Sequence, residues 1–369
     1  MPRADRFAPS LLRWFDQHGR HDLPWQYTRT PYRVWLAEIM LQQTQVATVI
    51  PYFLRFVDQF ASLRELAAAS LDDVLALWSG LGYYTRARNL HRAAQICVDC
   101  HAGDLPRDCD QLRKLPGIGR STAAAILAQA HGLPFAILDG NVKRVLARFH
   151  GVRGWPGSSV TQKQLWRFAD VHTPQVRVAD YTQAIMDLGA TVCTRANPRC
   201  TQCPFASQCV AHANDLTALL PQRKPSRTLP THSTVMLLLR DGSGRFLLQR
   251  RPPTGVWAQL WSLPEAADID QAKRSIAHDH AVEPAKIRFR HLPSFVHTFS
   301  HYRLDVTPVV LEIAASSRIG DSPDRRWLLP AEASQLGLPA PVRKLLENVQ
   351  TKSESATSKA PLPAAEGPG

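Results

Sequence analysis

The sequence predicts a mainly α protein with a smaller α+β domain at its C-terminal end. Three observations predict it. Apolar residues recur at helical spacing through most of residues 8–213, with Pro and Gly at the segment ends. Residues 214–231, NDLTALLPQRKPSRTLPT, are rich in Pro and basic residues, weak in periodicity, and read as a linker. The period then changes: STVMLLLRDGSGRFLLQRR holds two apolar strands around Asp241-Gly-Ser-Gly, a hairpin signal. The expected domains are 1–213, with a cysteine-bearing loop at 193–209, and 232–350. A Ser-, Ala-, Pro- and Gly-rich tail at 351–369 is expected to be disordered.

Residues 8–19 form a short amphipathic helix with Leu11, Leu12, Trp14 and Phe15 on its apolar side, closing at Gly19. HDLPWQ, 21–26, is a loop. Thr30-Pro31 opens the next helix, with Pro at its first position. That helix reads PYRVWLAEIMLQQTQVATVI, and Glu38 is its sole acidic residue. Helical spacing sets Glu38 beside Val34, Trp35, Leu41 and Gln42. Desolvation by such neighbours raises a carboxyl pKa, which suits a general acid near neutrality. The pattern alone leaves open a partly exposed glutamate on an amphipathic helix. Helical segments follow near 45–60 and 71–79. In WSGLGYYTRARNLHRAAQ, Gly80 and Gly82 flank a turn with Tyr83 just beyond it. Arg86, Arg88 and Arg92 recur at helical spacing. An aromatic beside a turn and a basic helix suits insertion into a base stack, or is an ordinary loop aromatic beside a solvated face.

Residues 112–145, LRKLPGIGRSTAAAILAQAHGLPFAILDGNVKRV, read as helix, tight turn, helix, loop, helix. Gly117 and Gly119 permit close backbone approach in the turn. Ser121 or Thr122 is expected to cap the following helix. A Gly-rich turn opening a helix points N–H groups at an anion. Asp139-Gly140-Asn141 places a carboxylate just past an apolar run. A helix is also expected over YTQAIMDLGA, from Tyr181. Cys193, Cys200, Cys203 and Cys209 then fall within one short loop, spaced C-x6-C-x2-C-x5-C. Four thiols so crowded call for a metal. A four-cysteine zinc site and a [4Fe–4S] cluster both fit that ligand set. Cys97, Cys100 and Cys109 lack a second CxxC and read as free thiols. Beyond the hairpin, a helix is expected at 268–280 and strand-like runs at 286–291 and 294–311. Regular alternation would put His297, Phe299 and His301 on one strand face.

Composition narrows the function. A net charge of +13 is the footprint expected of a nucleic-acid binder, or that of a merely basic soluble protein, since charge alone names no partner. The longest apolar runs, such as Val235–Leu239, are too short for a membrane span. Met1-Pro-Arg-Ala-Asp lacks an apolar signal region, so no secretory signal is expected. The expected location is cytoplasmic, at the nucleoid through DNA binding, and the expected state is a monomer. Seven cysteines without an export signal argue against a disulfide framework.

Several of these stretches match a known family. LPGIGRSTAAAIL followed by LDGNVKRV resembles the helix-hairpin-helix and Gly/Pro-Asp loop of base-excision DNA glycosylases. LAEIMLQQTQVATVIPYF resembles the catalytic-glutamate helix of the adenine DNA glycosylase (MutY) family, and the cysteine spacing resembles the iron–sulfur signature of endonuclease III and MutY. The resemblance reaches about residue 350. It implies a helix-hairpin-helix glycosylase fold with an iron–sulfur module, and a Nudix-like α+β domain behind it. It implies that Glu38 is the acid that protonates adenine, that Asp139 stabilises the sugar or bonds to it transiently, and that Cys193, Cys200, Cys203 and Cys209 hold a [4Fe–4S] cluster. By the same resemblance Gln42, Gln43, Tyr83, Arg88, Gly117, Gly119 and Ser121 meet DNA, with Tyr83 as a wedge. Trp25, Gln26, Gln183 and Asn141 surround the flipped base. Phe299, Ser300 and His301 sense 8-oxoguanine. The implied substrate is duplex DNA with adenine opposite 8-oxoguanine or guanine. Ser121 stands where the lyase-active endonuclease III branch has lysine, which implies a monofunctional enzyme. In the Nudix-like part, Arg274-Ser-Ile-Ala-His-Asp replaces the carboxylate-rich REx2EE-type segment that a hydrolase needs, which implies a binding domain. The rivals are a pyrimidine glycosylase with lyase activity and a non-catalytic iron–sulfur DNA-binding or redox-sensing protein.

Overall fold

A computed structural model of the chain describes residues 6–224, 228–280, 287–313 and 320–357, with His280 and 350–357 described by backbone alone. The chain forms two compact units. One comprises Met1–Ala69 and Arg86–Ser226, the other Ser70–Thr85 and Arg227–Gly369.

The first unit is helical. α1, Phe7–His18, ends as expected at Gly19, whose N–H donates to the Phe15 carbonyl at 2.8 Å. α2, Pro31–Leu41, starts at Thr30, whose hydroxyl accepts from the Arg33 N–H at 3.2 Å. The helix expected to run on to Ile50 stops at Leu41, and α3, Val46–Gln59, is separate. Between them Gln43 takes φ 58°. The cause lies far along the chain. The buried guanidinium of Arg86 donates to the carbonyls of Ile39 (3.0 Å), Met40 (2.7 Å) and Gln42 (2.5 Å). It thereby satisfies the C-terminal carbonyls that a further helical turn would have used. α4, Leu63–Ala68, has no counterpart among the expected elements; Ser62 caps it. α5, Leu71–Leu77, falls in the second unit. α6 is Thr85–Cys100, α7 Cys109–Lys114, α8 Arg120–His131 and α9 Gly140–Phe149. α10 is Ser159–His172 and α11 Val178–Asp187, which runs into a π-helical turn, Leu188–Val192. α12, Val210–Ala213, follows the cysteine loop.

α8 is the axis of this unit. Ala123 through Ala128 are buried without exception, and the helix packs on α2, α7 and α11. Small residues there let three neighbours approach one helix. In the turn before it, Gly117 has φ 80°, and a Cβ at that position would meet Asn89 Cβ at 3.0 Å. Both the backbone angle and the space favour glycine. The expected hydroxyl cap of α8 is absent: Gly119 is the N-cap, with no side-chain bond. Ser121 instead accepts from the Leu138 N–H at 3.0 Å, tying α8 to the loop before α9.

The second unit has an eight-stranded mixed sheet. β1, Thr231–Asp241, and β2, Phe246–Arg250, form the expected hairpin. Asp241 builds its turn by accepting from the N–H groups of Ser243 (3.0 Å) and Arg245 (2.9 Å). β3, Trp261–Ser262, pairs with β2, and β4, Glu265–Ala266, with β1. α13, Ile269–His280, agrees with expectation. The run expected as one strand over 294–311 is two: β6, Phe295–Thr298, and β7, Arg303–Ile313, beyond the short β5, Arg290–His291. β7 runs parallel to β1 from Thr231↔Arg303 to Asp241↔Ile313. β8, Arg325–Leu328, pairs with β2; α14, Pro330–Ala333, and α15, Ala340–Thr357, close the unit. α15 extends past 351, where the disordered tail was expected to begin; residues 358–369 of that tail lie outside the described residues. The sheet buries both faces. Met236 and Leu238 meet Val342, Leu345 and Leu346 on one side, and Val235, Leu237 and Leu239 meet Ala272 and Ile276 on the other. No helix among the described residues is long and apolar enough to cross a membrane.

Candidate active site

A cleft of about 830 Å³ opens in the first unit. Two carboxyl groups face it. Glu38 comes from α2, as the third residue before the helix end. Asp139 is the N-cap of α9, accepting from the Val142 N–H at 2.7 Å and the Asn141 side-chain amide at 3.2 Å. An N-cap position aims a carboxylate along the helix axis and favours its charged form. The environments of the two acids differ. Burial, reinforced by the negative charge of Asp139, pushes Glu38 up to about 8; the amide of Gln129 pulls the other way. Burial also raises Asp139, but there the Val142 and Asn141 N–H groups and the guanidinium of Arg144 oppose it. Burial thus raises both acids, but only Asp139 has helix N–H groups and a guanidinium facing its charged form, and a pair so differently surrounded can divide the roles of proton donor and charge stabiliser.

The rest of the wall is polar and well held. Trp25, Gln42, Gln43, Ser121, Asn141 and Gln183 all line the cleft, so it unites eight of the residues singled out in the sequence. Arg144, one turn into α9, donates to Asn141 Oδ1 (2.8 Å), the Gly189 carbonyl (2.6 Å) and the Cys193 carbonyl (2.6 Å). Gly189 is required at that crossing, since a Cβ would lie 2.5 Å from Asn141 Cβ. Asp187, fully buried, accepts from Arg20 Nη2 and from Gln183 Nε2, each at 2.7 Å.

This geometry agrees with what the chain is similar to. Residues 36–170 match the HhH-GPD superfamily of base excision DNA repair proteins, and 235–348 match the NUDIX domain. An adenine DNA glycosylase of Buchnera aphidicola (subsp. Acyrthosiphon pisum, strain APS) is 35% identical over 93% of this chain and 97% of its own length. The chain belongs to the adenine DNA glycosylase family. The Homo sapiens adenine DNA glycosylase is 34% identical over 93% of this chain and 74% of its own. A thermostable thymine-DNA glycosylase structure superposes with TM-score 0.53 at 25% identity, over 58% of this chain and 98% of that one. The chain is accordingly a DNA N-glycosylase, an enzyme that cuts the bond between a base and its sugar in base excision repair.

In this glycosylase the four-cysteine loop is anchored beside the cleft. Arg148, buried on α9, donates to Cys193 Sγ (3.4 Å) and the Thr194 carbonyl (2.7 Å), while the Cys209 thiol donates to the Arg148 carbonyl (3.4 Å). Cys193, Cys200, Cys203 and Cys209 line one small cavity. They are close enough that burial and the other three thiols push Cys203 up to about 12. Thiols so buried resist ionisation. Among the described residues, no group of three or more His, Cys, Asp or Glu side chains is drawn together as closely as a single metal ion needs.

Other expected residues lie elsewhere. Gly117 and Gly119 form the hairpin turn, and Arg88 lies on α6. Tyr83, half-exposed with φ 50°, sits between Gly82 and α6 and belongs to the second unit. Phe299, Ser300 and His301 do not share a strand with His297. The chain turns there, with the Phe299 N–H donating to the Tyr302 carbonyl at 2.9 Å, so the assumed alternation ends at Thr298. Phe299 packs at the turn against Trp257 and Tyr302, with ring centroids 5.1 and 4.7 Å away. Ser300 and His301 are exposed. Sequence reasoning missed Arg20, Asp187, Arg144 and Gln129. For Gln129 a signal existed: it is the one amide in the otherwise alanine-rich stretch AAAILAQA.

Proposed function

We propose that this glycosylase removes adenine placed opposite 8-oxoguanine or guanine, without lyase activity, and carries a [4Fe–4S] cluster. The observation that supports it most is the pair Glu38 and Asp139 in one cleft, the first held protonated near neutral pH. Adenine must leave the stack for its atoms to reach such a cleft. The Glu38 carboxyl then gives its proton to N7 of the base. The C1′–N9 bond breaks with its electron pair going to adenine, and the Asp139 carboxylate stabilises the positive sugar. Water adds at C1′, its proton returns to Glu38, and an abasic site remains. The experiment is single-turnover excision on duplexes carrying adenine opposite 8-oxoguanine, adenine opposite guanine, or thymine glycol opposite adenine, followed by alkali. Release from the thymine-glycol duplex alone would favour the pyrimidine-glycosylase reading.

Lyase chemistry needs an amine that forms a Schiff base with the opened sugar. Ser121 supplies a hydroxyl to the cleft, already engaged with the Leu138 N–H. The parent enzyme is expected to leave abasic sites intact, and Ser121→Lys to nick them. Borohydride trapping measures this; efficient trapping of the parent through one of its own lysines would overturn the monofunctional reading.

The cage of Cys193, Cys200, Cys203 and Cys209 would hold the cluster. The group would supply a covalent brace for the loop after α11, leaving the excision chemistry to the two carboxyls. The purified protein is expected to be brown, with about four irons per chain. Stoichiometric zinc without iron or sulfide would reject the cluster.

For the opposite base, 8-oxoguanine differs from guanine at its O8 carbonyl and N7–H. A hydrogen bond to that edge discriminates by about 1–3 kcal/mol. Ser300 and His301 offer exposed polar atoms at the β6–β7 turn, packed in place through Phe299. Changing both Ser300 and His301 to Ala is expected to reduce the preference for 8-oxoguanine over guanine about 5- to 100-fold, with less effect on the guanine mispair. An unchanged ratio of single-turnover rates in the folded double variant would place the sensor elsewhere.

A further inference from the structure

A line of side-chain amides runs from Glu38 to a buried ion pair. Gln129 Nε2 donates to Glu38 Oε1 at 3.1 Å. Gln26 Nε2 donates to Gln129 Oε1 at 3.4 Å and, more closely, to Gln183 Oε1. Gln183 Nε2 donates to Asp187 Oδ1 at 2.7 Å. Gln129 and Gln183 are buried, and Gln26 Oε1 is buried with no hydrogen-bond partner among the described residues.

The far end sets the direction of the line. Asp187, paired with the Arg20 guanidinium and its N–H, can only accept. Gln183 must therefore turn its NH2 to Asp187 and its carbonyl to Gln26. Gln26 meets both neighbouring carbonyls with its NH2. Gln129, its carbonyl so engaged, has only its NH2 left for Glu38. An amide NH2 donates and cannot accept. Glu38 Oε1 is thus an acceptor in either protonation state.

We infer that Gln129 is a positioning residue for the excision reaction: by occupying Glu38 Oε1, it fixes the transferable proton on Oε2. The inference rests on the reading of Glu38 as the general acid. A carboxylic acid has two oxygens on which to carry its proton, and only one orientation serves a base held in the cleft. Gln129 removes the choice. The charge that acts on Glu38 is that of Asp139 from α9, itself opposed by the Arg144 guanidinium, while Arg86 from α6 donates to the last carbonyls of α2.

The test uses the full chain and two apolar variants of similar size, Gln129→Leu and Gln129→Met. Glu38 is followed by carbon NMR of glutamate-labelled protein, its signal assigned by loss in Glu38→Gln. The Gln129 amide signal is followed in the parent. Donation to a titrating carboxylate predicts that this amide signal moves with the Glu38 midpoint. In the variants the midpoint moves up, because a donor that favours the charged form is gone. The alkaline limb of the excision profile moves with it, and the plateau rate falls about 10-fold as the proton loses its fixed site. A Gln129 amide signal that ignores the Glu38 titration, or an unmoved midpoint and limb in a folded variant, overturns the inference. Normal excision by Glu38→Gln would instead defeat the general-acid reading, while the amide titration would still report the contact itself.

Discussion

Glu38→Gln is expected to bind mispaired duplex as the parent does and to excise adenine about 10²–10⁴-fold more slowly, the range for loss of a general acid. The amide fits the same space and can still accept from Gln129, so the wall of the cleft survives. What it lacks is a transferable proton. On the proposed mechanism the parent excises with Glu38 protonated, and burial raises its pKa to about 8. The rate should therefore be level below that value and fall above it. The same group predicts a stability effect. Its unfolded value is 4.5 and its folded value about 8. A raised carboxyl contributes stability fully below the unfolded value and loses that contribution as pH rises through the folded one. Glu38→Gln does not titrate, so its melting temperature relative to the parent should climb between those two pH values and then level off. Rate against pH and calorimetry measure the two effects; a variant with near-parental excision would refute the assignment.

Asp139→Asn is the second large effect. Asparagine is as good an N-cap as aspartate, so α9 should keep its start and the protein its melting temperature. The substitution removes the negative charge proposed to face the developing sugar cation, and preorganised electrostatics of this kind is worth about 10²–10³-fold in rate. A second readout separates this from mere disturbance. The Asp139 charge is one of the causes that push Glu38 up. Without it Glu38 should titrate lower, and the alkaline limb of the slow residual activity should move to lower pH. A rate loss accompanied by an unmoved limb and a lower melting temperature would mean that Asp139 acts as a cap alone.

Local features of the chain were legible where one segment determines its own shape. The Thr30-Pro31 start, the Gly19 stop and the Asp241 hairpin turn follow from a few neighbouring residues. Glu38 stood out as a carboxyl among apolar helical neighbours, and Asp139 as the residue before Gly140-Asn141. Features set by distant partners were not legible. Nothing between Leu41 and Val46 marks a helix break, because the residue that ends α2 is Arg86. Alternation suggested a single strand through His301, because the aromatic packing that folds back at Phe299 comes from Trp257. The parallel pairing of β1 with β7 joins segments whose patterns suit either direction. Gln129 carries a surface-type side chain, and only the line of amides ending at Asp187 gives it a buried role.

The second unit is discontinuous, and that has a consequence for biosynthesis. Arg250 grips both carboxylate oxygens of Asp72 at 2.7 Å across a separation of 178 residues. Tyr84 donates to the Leu338 carbonyl across 254. Gly337 comes so near Leu75 that a Cβ there would lie 2.8 Å from its side chain. Residues 70–85 thus emerge from the ribosome early and wait for partners translated near the end. Until then the growing polypeptide carries α5 with its apolar side, Leu75 included, uncovered by these later residues. A message cut short after residue 226 would leave that side open as a handle for chaperones and proteases. Premature termination in the second unit therefore threatens the abundance of the glycosylase.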